Sequence, residues 1–302
     1  MYIIIAMILV FGIMTENYFT PDNMSVILRQ AAPLLVIACG QTVIVLTQGT
    51  DLSLGSIVSL TSVFWIFLLN MGLPMIPAVF CSLAVSTLCG IFNGLIVAKV
   101  KIPVFIVTLG TQNIFKSMAL LLCGSLTIYH SDPIFRTVAK GEWLHLTWST
   151  WIALFFFLVT VFLLNRTTFG MRVRALGGNA EAITFAGGKI DLCLVKAFAY
   201  AGLMAGIGGL LLCCRIESGN PNSGNGLEFS AVAAVLLGGT SLREGRGGAE
   251  GTIFGVILIQ ILKSGLMQIG ISSIYQNAII GTVVLSAIIF DAVVKRMQEG
   301  WG

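Results

Sequence analysis

Arg166-Thr-Thr-Phe-Gly-Met-Arg-Val-Arg-Ala-Leu-Gly-Gly-Asn-Ala-Glu-Ala-Ile-Thr-Phe-Ala-Gly-Gly-Lys189 is a polar island in an otherwise oily chain. It carries Arg166, Arg172, Arg174 and Lys189, a Gly-Gly-Asn turn and a short helical stretch. One apolar run ends just before it at Leu164, and another begins just after it at Leu192. A polar segment so placed is the connection between two membrane spans, and the rest of the sequence reads outward from it.

The chain has 302 residues, of which 57% are hydrophobic and 10% charged, and its mean hydropathy is +0.97. Soluble domains carry about 25% charged residues, so a water-soluble globule is excluded. A span needs about 20 apolar residues, and lipid leaves every backbone amide dependent on internal partners, which forces helices. Apolar runs at 1–14, 31–48, 54–70, 74–98, 102–123, 148–164, 192–214, 227–238, 252–270 and 274–294 predict an all-α polytopic membrane protein. The expectation is about ten transmembrane helices in a single domain over 1–302, with one or two of them interrupted or re-entrant, the short run 227–238 among them. Met1–Met14 has no basic leader and no small-x-small site after it, so it reads as a first span, short at its start as a clipped leader would leave it. The seven cysteines lie in or at the ends of apolar runs without a C-x-x-C pair, as small packing residues do.

If the first span starts inside, ten basic residues fall on the inner side: Lys99, Lys101, Arg166, Arg172, Arg174, Lys189, Arg243, Arg246, Lys295 and Arg296. Only Arg29, Arg136, Lys140 and Arg215 fall outside. The positive-inside rule puts both termini and the 166–190 loop in the cytoplasm. Residues 15–25 and 215–226 are then turn-rich outer loops. The segment 124–147, with Tyr129, Trp143 and Trp148 nearby, suits an interfacial aromatic belt. A weak internal echo, Gly49-Thr-Asp-Leu-Ser-Leu-Gly55 against Gly239-Thr-Ser-Leu-Arg-Glu-Gly245, hints at repeated halves with interrupted helices in matching places.

Conventional catalysis finds no residues. His130 and His145 are isolated, which leaves no metal site, and no nucleophile–base or phosphate-loop motif is present. Any ATP must sit on another subunit, and no cofactor is expected here. Asp51, Lys116 and Lys263 are ionisable groups within or beside apolar runs, where charge is costly. Asp51 sits at a Gly49–Gly55 break, either as a helix cap or as part of a permeation path. Gln112, Asn113 and Lys116 share one helical face; Lys263 snorkels. Gln41, Gln48, Asn93, Thr108, Thr111, Gln112 and Asn113 are neutral amides and hydroxyls inside apolar runs, with Gln41 and Gln48 at i, i+7. They serve either interhelical hydrogen bonding or a path that suits a neutral polyol better than an ion. No Asp/Glu/His relay of the proton-carrier kind is present. Gly202-x-x-x-Gly206 and Gly247-x-x-x-Gly251-x-x-x-Gly255 predict close helix packing.

Within the polar loop, Gly177-Gly178 breaks the chain and Asn179 is a good N-cap for a short helix 180–186 ended by Gly187-Gly188. A short, separately capped helix at the inner surface suits a groove in a soluble partner; the alternative is an amphipathic turn lying on lipid.

Gly49-Thr-Asp-Leu-Ser-Leu-Gly-Ser56, Asn93-Gly-Leu-Ile-Val-Ala-Lys-Val-Lys-Ile-Pro103, Phe105-Ile-Val-Thr-Leu-Gly-Thr111, Ala175-Leu-Gly-Gly-Asn-Ala-Glu-Ala182 and Leu237-Gly-Gly-Thr-Ser-Leu242 with Arg246-Gly-Gly248 resemble, in family order, the permease subunits of bacterial ABC importers of the ribose/xylose/arabinose/galactose and autoinducer-2 group. The resemblance implies an inner-membrane permease that pairs with a second permease subunit. It also implies a cytoplasmic ATP-binding subunit, a periplasmic or lipid-tethered substrate-binding protein and a small sugar as cargo, with no nucleic acid. Arg172, Arg174, Gly177, Gly178, Asn179, Glu181 and Ala182 would couple to the ATPase, and Gln41, Gln48, Asp51, Asn93, Thr111, Gln112, Asn113 and Lys116 would line the translocation path. The chain departs from the family at Gln48-Gly49-Thr50-Asp51, where Gly-Gly-Ile-Asp is usual, at Lys116, often arginine, and at Glu244, often glycine. A stand-alone secondary carrier for a small polar solute is the alternative reading.

Overall fold

A computed structural model of the chain describes residues 20–179, 189–242, 245–272, 275–276 and 278–282, with isolated positions 11, 12, 15, 18 and 286. Ten helices are assigned among the described residues: α1 (Pro21–Leu46), α2 (Leu54–Asn70), α3 (Met75–Val100), α4 (Val104–Leu122), α5 (Pro133–Lys140), α6 (Trp148–Arg166), α7 (Thr168–Gly178), α8 (Ile190–Ile216), α9 (Leu227–Leu237) and α10 (Ala249–Gln268). Four two-residue strands, β1 (Ile128–Tyr129), β2 (Glu142–Trp143), β3 (Leu146–Thr147) and β4 (Ser218–Gly219), form two antiparallel pairs, β1 with β4 and β2 with β3. The chain is thus a helical polytopic membrane protein. Six helices, α1, α3, α4, α6, α8 and α10, are long and apolar enough to cross a bilayer, and α2 and α9 are shorter apolar helices. The expected runs 1–14 and 274–294 lie largely outside the described residues.

Local chemistry moves the helix edges away from the apolar boundaries. α1 starts at Pro21, well before its apolar run, because Thr20 caps it by accepting from the Asn23 amide at 3.3 Å, with Pro21 and Asp22 in the first turn. Residues 21–25, expected in a turn-rich loop, are therefore helical. Thr167 serves two helices: its Oγ1 donates to the Leu163 carbonyl at the end of α6 and accepts from the Gly170 amide at the start of α7. α7 keeps Gly177 helical and ends at Gly178, with Asn179 in extended backbone directly after it, so the expected break falls at the end of the Gly-Gly pair.

Burial sorts the helices into centre and rim. The most apolar windows of α1 and α8 are 83% buried, against 28% for α3, α4 and α6. Phe80, Phe92, Phe105, Ile114, Phe155 and Phe162 stand exposed on these rim helices, as lipid-facing side chains do. Small residues let the centre close up. A methyl group added at Gly90 of α3 would overlap the Phe198 carbonyl of α8, one at Gly206 would meet Ser86, and one at Gly202 would approach the Ser86 carbonyl to 2.5 Å. The Gly202/Gly206 face thus packs against α3, and Gly251 and Gly255 likewise seat α10 on the carbonyls of Gly238, just past α9, and of Ala234 within it.

The two ends of the bundle are distinct. At one end, β1 pairs with β4, Arg136 bonds Glu217 at 3.3 Å, and α5 inserts Phe135 against Trp65, ring centroids 5.0 Å apart. Trp143 stacks on Trp148 there, both exposed. At the other end lie 47–53, α7 and the α9–α10 connection, with an exposed Lys99–Asp191 pair at 3.0 Å that contributes little in water. Replacing Gly90 by leucine is expected to lower unfolding stability by about 3 kcal/mol through overpacking, measured by denaturant unfolding in detergent; replacing exposed Leu88 by alanine should change it by less than about 0.5 kcal/mol.

Candidate functional site

α1 ends at Leu46 and α2 begins at Leu54, and the seven residues between them are held by side chains from other helices. The Gln41 carboxamide, with its nitrogen toward the Asp51 carbonyl, donates to that oxygen and accepts from the Asp51 amide, both at 3.2 Å. Asp51 Oδ1 accepts from the Ser53 amide at 2.8 Å and from the Ser53 hydroxyl at 2.7 Å. Asn93 of α3 donates Nδ2 to the same hydroxyl at 2.8 Å, and Thr108 of α4 donates to the Thr50 carbonyl at 3.3 Å. Gln41, Asp51, Ser53, Asn93 and Thr108 are wholly buried. Asp51 is thus not itself the N-cap; it turns the chain so that Ser53 occupies that position. Asp51 Oδ2 and Asn93 Oδ1 are buried with no hydrogen-bond partner.

A second polar group lies farther along α4. Lys116 Nζ donates to Asn222 and Asn225 Oδ1, each at 2.6 Å, clasping the α8–α9 loop. Gln112 Nε2 donates to Glu228 Oε1 at 3.3 Å, and the same oxygen accepts from the Gly226 amide at 3.2 Å. Glu228 Oε2, buried and without a partner, faces Gly55. The Gln112/Lys116 face expected from spacing is therefore real, but Asn113 is exposed and bonds the Leu109 carbonyl of its own helix. Thr111 likewise bonds within α4, to Thr108.

The third group joins α7 to α1, α6 and α10. Gln48 Nε2 donates to the Gly177 carbonyl at 2.6 Å. Arg174 donates to Asn165 Oδ1 at 2.7 Å, Asn165 donates to Glu250 Oε1, and Arg174 Nε is buried without a partner. A methyl group at Gly177 would overlap the Leu46 carbonyl and lie 2.8 Å from Gly245 Cα. Arg172, Gly178 and Asn179 are exposed, and Asn179 has extended backbone at the end of α7. Glu181 and Ala182 lie outside the described residues.

The structure thus splits the expected path residues. Gln41, Asp51 and Asn93 meet at the helix break, Gln112 and Lys116 meet at the α8–α9 loop and the start of α9, and Gln48 joins the α7 group. The shared face of Gln41 and Gln48 does not exist, because the helix stops between them. Ser53, Glu228, Asn222, Asn225, Asn165 and Glu250 were missed from the sequence. Only Glu228, an acid in an apolar run, carried a signal that an intramembrane-charge search would find.

The family model described as "Branched-chain amino acid transport system / permease component" matches residues 23–288. The ribose import permease protein of Bacillus subtilis is 33% identical over 287 residues, which cover 94% of this chain and 89% of that protein. The ribose import permease protein of Escherichia coli K12 is 32% identical over 95% of this chain and 91% of its own length. The autoinducer 2 import system permease protein of Yersinia pseudotuberculosis is 31% identical, covering 98% and 84%. No solved structure matches. With the family match spanning the bundle and all three polar groups, the chain belongs to the branched-chain amino acid transport system permease family and is a permease component of an ABC importer.

Proposed function

We propose that this chain is a single transmembrane permease domain over 1–302. In this reading ten spans, interrupted at 47–53 and shortened at 227–237, carry a monosaccharide or similar small polyol across the inner membrane, with both termini cytoplasmic. The observation that carries the substrate class is the lining of the two polar groups along α2, α3 and α4. Carboxamides and hydroxyls (Gln41, Ser53, Asn93, Thr108, Gln112) outnumber the charges Asp51, Lys116 and Glu228. Such neutral donors and acceptors match sugar hydroxyls, and the relatives named for ribose import support the same class. The chain needs no cofactor of its own. Hydrolysis belongs to a cytoplasmic ATP-binding subunit that pushes on residues 172–188, a substrate-binding protein delivers the cargo, and a second permease subunit completes the path. Arg172, Arg174, Gly177, Gly178, Asn179, Glu181 and Ala182 form the coupling surface. Gln41, Asp51, Asn93, Thr111, Gln112, Asn113 and Lys116 shape the path, with Ser53, Thr108 and Glu228 added to them.

Reconstitution in vesicles separates this reading from a secondary carrier. Uptake of a labelled monosaccharide is expected only when the ATPase, ATP and binding protein are all present; uptake by the permease alone sinks the proposal. Asn179→Trp or Glu181→Trp should leave membrane insertion intact and ATP hydrolysis running while uptake falls at least tenfold. Lys116→Ala removes both bonds to the 220–226 loop and is expected to slow uptake roughly five- to tenfold, since charge-assisted bonds weigh more than neutral ones. Lys116→Arg, which keeps a cationic donor, should recover most of the initial rate.

A further inference from the structure

Five helices among the described residues end with the same pair of backbone bonds, in which the second residue past the last turn takes a left-handed conformation. For α2, α4, α9 and α10 that residue is Gly72 (φ +87°), Gly124 (+59°), Gly239 (+83°) and Gly270 (+82°). The bond pairs are Gly72 to Leu69 with Leu73 to Leu68, Gly124 to Leu121 with Ser125 to Leu120, Gly239 to Leu236 with Thr240 to Val235, and Gly270 to Met267 with Ile271 to Leu266. α1 makes the same pair, Gln48 to Val45 at 2.9 Å and Gly49 to Ile44 at 3.1 Å, but the left-handed residue is Gln48, at φ +63°. A side chain with a Cβ is strained there and glycine is not, so four helices use glycine and one does not. The α9–α10 connection is the telling case. It lies beside Gly177, as the end of α1 does, and it closes with Gly239.

What Gln48 gains is a contact that glycine cannot make. Its carboxamide reaches the Gly177 carbonyl at 2.6 Å, at the point where the α7 backbone rests against Leu46 and Gly245. Three residues later Asp51 begins the network that fixes the same segment to α3 and α4 through Asn93 and Thr108. One short stretch of chain therefore holds the end of α7 on one side and two rim helices on the other. We propose that Gln48 is a positioning residue for transport, a tie that carries displacement of the α7 segment into the α1–α2 break. This assignment rests on the reading of 172–188 as the coupling surface and gives Gln48 a place there instead of in the path.

The test uses the complete importer, with ATPase and binding protein, in vesicles, and reads sugar molecules moved per ATP hydrolysed alongside the thermal midpoint of the purified permease. Gln48→Gly relieves the left-handed strain, so its midpoint should equal or exceed that of the unaltered protein. Its transport per ATP should fall roughly fivefold, the scale of one hydrogen bond. Gln48→Lys restores a donor of sufficient reach and should recover most of the ratio. An unchanged ratio in Gln48→Gly, with Asn179→Trp still uncoupled, overturns the tie and leaves the coupling surface standing. An unchanged ratio in both overturns both. A lowered midpoint and lower membrane levels in Gln48→Gly would make the side chain a support of the fold, and that too overturns the proposal.

Discussion

A break in a helix surrounded by apolar side chains exposes amides and carbonyls that no water reaches, and the α1–α2 break exists only because side chains of this protein take water's place. Each unmet backbone group in such surroundings costs several kcal/mol. Gln41 answers both backbone groups of Asp51, Thr108 answers the Thr50 carbonyl, and Ser53 links Asp51 to Asn93. The segment is consequently unwound yet defined. It also becomes the place where α1, α2, α3 and α4 meet in polar contact, inside a bundle held elsewhere by apolar packing.

Packing around that point follows from the absence of a hydrophobic drive between helices in lipid. What holds α8 to α3 and α1 is close approach, made possible by Gly90, Gly94, Gly202, Gly206 and Gly208. Polar side chains make the remaining contacts, at the α1–α2 break and around the 220–226 loop.

The positions of the spans were legible because hydropathy alone sets them, and α2, α3, α4 and α6 fall where the apolar runs do. Their ends were less so. The early start of α1 is written in Thr20-Pro21-Asp22, a cap that looks like a turn when read for polarity alone. α7 ends with the Gly177-Gly178 pair as that pair suggests, but the seating of Gly177 against Leu46 is a tertiary contact that no local pattern records. For the polar groups, residue type was readable and grouping was not. Gln112 and Lys116 share a face because four residues make one turn, but their partners Glu228, Asn222 and Asn225 lie more than a hundred residues away. Gln48 escaped because periodicity assumes that the helix continues, and it had ended two residues earlier.

The two polar groups along α2 and α4 differ in a way that bears on how a neutral solute would pass. At the helix break every side chain but Asp51 is uncharged, and the contacts are short and buried. Beyond it the lining carries Lys116 and Glu228, each engaged by carboxamides or backbone amides and not by the other. Each charge thus makes its hydrogen bonds to neutral groups nearby. On the proposed path, a solute that exchanges water for these hydrogen bonds would meet mostly neutral donors and acceptors, with no continuous run of one charge for an ion to follow. In that reading selectivity would follow from the spacing of neutral groups, several of which are fixed around the unwound chain between α1 and α2.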